Sequence, residues 1–92
     1  MTDEKKVKQA LHVYLKNDYW REYYENAPSD LCRRYIELDF ADSWYDDSEI
    51  NKERISMYDV LGLEDWIHLR KYAGHNPFYA RCEKMIRQLS KG

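Results

Sequence analysis

With 92 residues, 43% of them hydrophobic, and a formal charge of −2, the chain has material for one small domain. A domain this short has little room for an enclosed active site beside its core. It has no apolar run near the ~18 residues that a membrane span needs, and its three dispersed glycines cannot build a phosphate-cradling loop.

Leu, Ile, Val and Phe supply only 18 of the 92 residues, which borders on the composition of disordered chains. Nine tyrosines and three tryptophans tip the balance toward folding. Each such ring can bury about 150–250 Å², so the core must lean on Tyr and Trp. Their OH and NH groups then need partners or a place at the core's edge, because an unpaired buried polar group costs ~1–3 kcal/mol.

The elements read as helices in chain order. Val7, Leu11, Tyr14 and Leu15 form the buried stripe of a helix over residues 3–16, with Asp3 and Glu4 at the end where the helix dipole favours anions. Asn17 or Asp18 can cap a short second helix, about 18–25, which carries Tyr19, Trp20, Tyr23 and Tyr24; Asn26 is expected to close it in the left-handed conformation before Pro28. Ser29 caps a third helix over 30–44. Here the alternation Ile36-Glu37-Leu38-Asp39-Phe40 is also a strand signal, and a small hairpin pairing 34–41 with 55–61 is the alternative. As a helix it shows apolar side chains on several sides, which suits a central position. Ser48 is expected to cap a fourth helix, 49–61, burying Ile55, Tyr58 and Leu61, with Gly62 left-handed behind it. A fifth helix over 64–73 closes at Gly74, and Asn76-Pro77 opens a sixth that runs to about 90 with Phe78, Cys82, Met85, Ile86 and Leu89 as its stripe. The sum is an all-α fold, a compact orthogonal bundle of five to six short helices in a single domain, 1–92.

Few residues suggest chemistry. His12, His68 and His75 are scattered, and Glu64 and Asp65 with His68 make one partial ligand pair where a metal site needs three or four donors. No metal or cofactor is expected. Cys32 and Cys82 stand in no nucleophile motif, so no catalytic residue is assigned and the chain is read as a non-enzyme. The absence of a leader-like start and of a paired-cysteine pattern predicts a reducing, cytoplasmic setting with both thiols in the core.

Two surfaces stand out. The first combines Tyr19, Trp20, Tyr23 and Tyr24 with Trp44, Tyr45, Asp46 and Asp47. Tyr, Trp and Arg dominate interface hot spots, and two acids beside two rings predict an acidic-aromatic rim for a basic partner. Acids also concentrate in the middle of the chain, with eight in residues 28–53 against three bases. The leading expectation is a small helical interaction or regulatory protein that docks a protein partner, or itself, through this surface. The second surface is a helix-turn-helix-like element at 54–73, whose His68, Arg70 and Lys71 would meet nucleic acid; acidic residues around its turn count against it. A third reading, a bacterial or mobile-element inhibitor, would use the acidic middle to imitate phosphates.

Overall fold

A computed structural model describes residues 2–74 and 77–91, and among them lie six α-helices, one 3-10 turn and no strand. The fold is all-α. The helices are α1 (Glu4–Tyr14), α2 (Asp18–Glu25), α3 (Asp30–Tyr45), α4 (Ser48–Ser56), α5 (Leu63–Ala73) and α6 (Pro77–Ser90), with the 3-10 turn at Met57–Asp59. The chain forms two units, Met1–Val60 and Leu61–Gly92.

The first unit is built around α3, which touches α1, α2 and α4. This position corrects the hairpin alternative at 34–41 and 55–61. Ile36, Leu38 and Phe40 alternate with acids, yet all three are buried, because a helix with neighbours on several sides can use apolar residues all round. Cys32, Tyr35 and Ala41 complete its buried set. The acids between them are engaged as well: Glu37 accepts from Tyr24 Oη at 2.7 Å, and Asp39 lies near Arg54.

Local caps set the helix starts. Lys5 N–H donates to Asp3 Oδ1 at 3.1 Å, so Asp3 sits just ahead of α1 as its cap rather than within it. Asn17 Oδ1 accepts from Tyr19 and Trp20, and Ser29 Oγ accepts from Cys32 N–H at 3.0 Å, both as expected. Asn26 closes α2 at φ −91°, not in the left-handed region. The cap of α4 is Asp47, not Ser48: its Oδ1 accepts from Glu49 N–H at 2.9 Å and Ile50 N–H at 3.2 Å, and a carboxylate suits the positive helix end.

α4 is also shorter than expected. It tightens into the 3-10 turn after Ser56, which leaves Ile55 exposed and Tyr58 half-buried, while Ile50 and Met57 are buried; Leu61 is buried as expected. Gly62 therefore does not end α4. It lies extended at φ −88° as the residue before α5, and its N–H donates to Asp65 Oδ2 at 2.8 Å.

The second unit is the pair α5 and α6. Trp66, Leu69, Ala73 and Cys82 are buried, and Trp66 meets Phe78 with ring centroids 6.0 Å apart. Arg70 Nη1 reaches Glu83 Oε1 at 3.3 Å. Gly74 follows α5 at φ 66°, a conformation that strains any residue with a Cβ. The Asn76 cap foreseen for α6 and the third histidine, His75, lie outside the described residues; α6 starts at Pro77 as expected.

Candidate functional site

The rings of the first unit assemble around Tyr14 and Phe40, which stack with centroids 4.3 Å apart and planes 2° from parallel. Trp20 meets Tyr14 edge-on at 6.2 Å and Phe40 at 6.0 Å, and Tyr23 packs on the same group. Edge-to-face contacts between rings at these separations are favourable beyond the area they bury.

This cluster divides the residues singled out from the sequence. Tyr23 is buried and Trp20 half-buried, so both act mainly in the core. Tyr24 is tied to α3 through its bond to Glu37, and that partial burial and the adjacent carboxylate push its phenol up to about 12. Tyr19 leans on Trp20 but remains exposed. The four residues of α2 therefore do not form one open patch.

Trp44 and Tyr45, at the end of α3, are placed differently. Trp44 keeps 55% of its surface accessible although its ring stands edge-on to Tyr14 at 6.4 Å. Tyr45 Oη donates to Gln9 Oε1 at 2.6 Å, and Lys6 Nζ lies 5.5 Å from the Tyr45 ring centroid. Lys6 also donates to Asp47 Oδ2 at 2.9 Å. Asp46 ends α3 in the left-handed region at φ 53°, its N–H donating to Asp42 O at 2.8 Å.

These contacts hold the end of α3 against the outer side of α1 and leave a shallow groove of about 430 Å³ between them. Its walls are Lys8, Gln9, His12, Val13, Trp44 and Tyr45, and most of its surface is apolar. Trp44 and Tyr45 were legible as candidates in the sequence; Lys8, Gln9, His12 and Val13 were not. The available signal was spacing. Lys8 with His12 and Gln9 with Val13 are i, i+4 pairs on the side of α1 away from buried Val7 and Ala10.

The acidic middle is largely neutralised within the chain. Arg34 gathers Glu4 at 2.6 Å, Glu53 at 2.8 Å and Glu37 at 3.5 Å. Asp30 pairs with Arg33, Asp42 with Arg54 and Asp47 with Lys6. Lys6 and two backbone N–H groups hold the Asp47 carboxyl below its usual range.

His68, Arg70 and Lys71 all fall on α5. Arg70 is half-buried in its pair with Glu83, His68 rests on Tyr72 with centroids 5.2 Å apart, and Lys71 Nζ lies over the Tyr72 ring. Among the described residues no group of three His, Cys, Asp or Glu side chains could hold a metal ion, and no helix is long and apolar enough to cross a membrane. Cys32 and Cys82 are both buried and neither is in a disulfide, and burial pushes the Cys82 thiol up to about 12. No family model, curated protein or solved structure matches the chain.

Proposed function

We propose that the chain is a non-enzymatic protein-interaction module that docks a protein partner through the groove between α1 and the end of α3. The observation that carries this reading is Trp44, more than half exposed yet fixed edge-on against Tyr14 at the groove wall. A large ring already held in place loses little conformational freedom on binding, which is what makes such residues effective anchors. Val13 and Tyr45 extend the apolar wall, and the Tyr45 hydroxyl already donates to Gln9 Oε1, so covering that proton does not strand it.

The test compares wild type with Trp44→Ala and Val13→Glu in affinity capture from source-cell lysate, with and without nuclease. Leu89→Ala, an exposed change on α6, is the control. The expected result is a nuclease-resistant protein partner that wild type and Leu89→Ala retain and both groove variants lose, with far-UV circular dichroism unchanged in all four. If the groove variants retain the same proteins as wild type, the groove is not the docking surface. If all retention vanishes with nuclease, attention moves to nucleic acid and to Arg70 and Lys71.

A further inference from the structure

We infer that the occupant of the groove is a short amphipathic helix whose apolar face is flanked by carboxylates. The inference rests on the docking reading and names the partner's chemistry.

Shape supplies the first argument. The groove is shallow, open to solvent and bounded by one helix and the end of another, the setting in which amphipathic helices lay their apolar face. Strand addition has no template here, since the described residues contain no sheet edge.

Charge supplies the second. The ionisable side chains on the groove wall, apart from the Tyr45 phenol, are Lys8 and His12, and no carboxylate lines it. Lys5 continues the exposed basic row along α1 at i, i+3, and Lys16 follows just past its end. Lys5 and Lys8 form no ion pair within 4 Å among the described residues; of the acids near them, Glu4, one turn before Lys8, is held by Arg34 and Asp47 by Lys6. The sequence suggested the opposite polarity, a basic partner for Asp46 and Asp47 beside the two rings. Folding reverses it, because Lys6 and the start of α4 occupy Asp47 while α1 brings its cations to the groove. A basic helix would set lysine against lysine. An acidic one would meet Lys5, Lys8 and His12 while its apolar residues cover Trp44 and Val13.

The experiment uses the full chain, isotopically labelled, and two synthetic peptides of about 14 residues, roughly four helical turns. Both carry the same Leu/Phe stripe at i, i+3, i+4 and i+7; the flanking positions are Glu in one and Lys in the other. Binding is read from chemical-shift changes at the Trp44 indole N–H and at Lys8 to Val13. The Glu peptide is expected to shift these resonances and to bind at least about tenfold more tightly than the Lys peptide at low salt, a preference that shrinks as salt rises. Trp44→Ala should abolish the binding. Lys8→Glu with His12→Glu, both exposed positions, should reverse the preference while circular dichroism stays unchanged.

A Lys peptide that binds this groove as tightly or more tightly overturns the assigned charge and leaves the docking reading standing. Shifts confined to other residues, or no shift with either peptide, overturn the inference itself. The docking reading fails separately, through lysate capture that survives Trp44→Ala.

Discussion

Tyr24 shows how much of this chain's stability is arranged around phenol groups. Its side chain starts on α2 and its hydroxyl donates to Glu37 of α3, and its pKa rises from the ordinary 10.0 to about 12, first through burial and then through that bond. A group whose folded pKa lies above its unfolded value contributes stability that is complete below the unfolded pKa and lost as pH rises through the folded one. Burial pushes Cys82 in the same direction, to about 12, and raises Tyr35 as well. The unfolding midpoint should therefore fall steeply between about pH 10 and 12. Tyr24→Phe removes one contributor, so thermal melts across that range should show a flatter slope. At neutral pH the same variant should cost about 0.5–1 kcal/mol, because the lost bond is partly solvated. An unchanged alkaline slope would show that Glu37 does not hold the phenol in solution.

At the scale of elements, the Arg54 guanidinium ties α4 to α3, as Arg34 does from the other side of the pair through Glu53. Arg54 Nη1 donates to Tyr35 Oη at 2.9 Å and Tyr58 Oη at 3.1 Å, Nη2 donates to Asn51 Oδ1 at 2.7 Å, and Nε lies 3.4 Å from Asp42 Oδ2. Burial raises the Asp39 carboxyl above its usual 3.8, and the charge of Arg54 pulls it back. Arg54→Ala should cost about 3 kcal/mol in denaturant melts, since it strips two carboxylates of their nearest cation. Without Arg54 the Asp39 pKa climbs further. The folded variant then binds a proton before the unfolded chain does, so its deficit relative to wild type should narrow as pH falls. Arg54→Lys should recover only part of the loss, because an ammonium cannot serve the phenols, the amide and the carboxylate together.

The elements also show what periodicity conveys. Asn17 and Ser29 were recognisable as caps because their partners lie two or three residues away. Asp47 was passed over for Ser48 because what favours it includes Lys6, 41 positions earlier. The side of α1 that faces outward could be read from its stripe. That this side adjoins the end of α3 could not, since spacing reveals which face is buried and not which exposed faces become neighbours. For the same reason spacing could not sort the rings of α2, and it is Tyr14 and Phe40 that draw in Trp20 and Tyr23.

For the whole molecule, a low net charge of −2 conceals extensive internal pairing, and the acidic middle is spent mainly on its own arginines. The stacked rings, the Arg34 and Arg54 networks and the groove all belong to Met1–Val60. A unit of about 60 residues is near the lower limit for independent folding. Residues 1–60 alone should therefore keep the near-ultraviolet circular dichroism of the ring cluster and melt cooperatively at a lowered midpoint, whereas residues 61–92 alone should show little helix. Loss of the near-ultraviolet signal from the first fragment would show that the ring cluster does not support itself.

The three tryptophans occupy three different settings, one fully buried on α5, one half-buried among rings on α2, and one more than half exposed at the groove wall. They amount to a built-in set of optical labels. Trp44 should dominate the red edge of the emission and yield first to a soluble quencher, while Trp66 should be the last to respond. A ligand seated in the groove would then announce itself by a blue shift and protection of one component, without any dye attached to the chain.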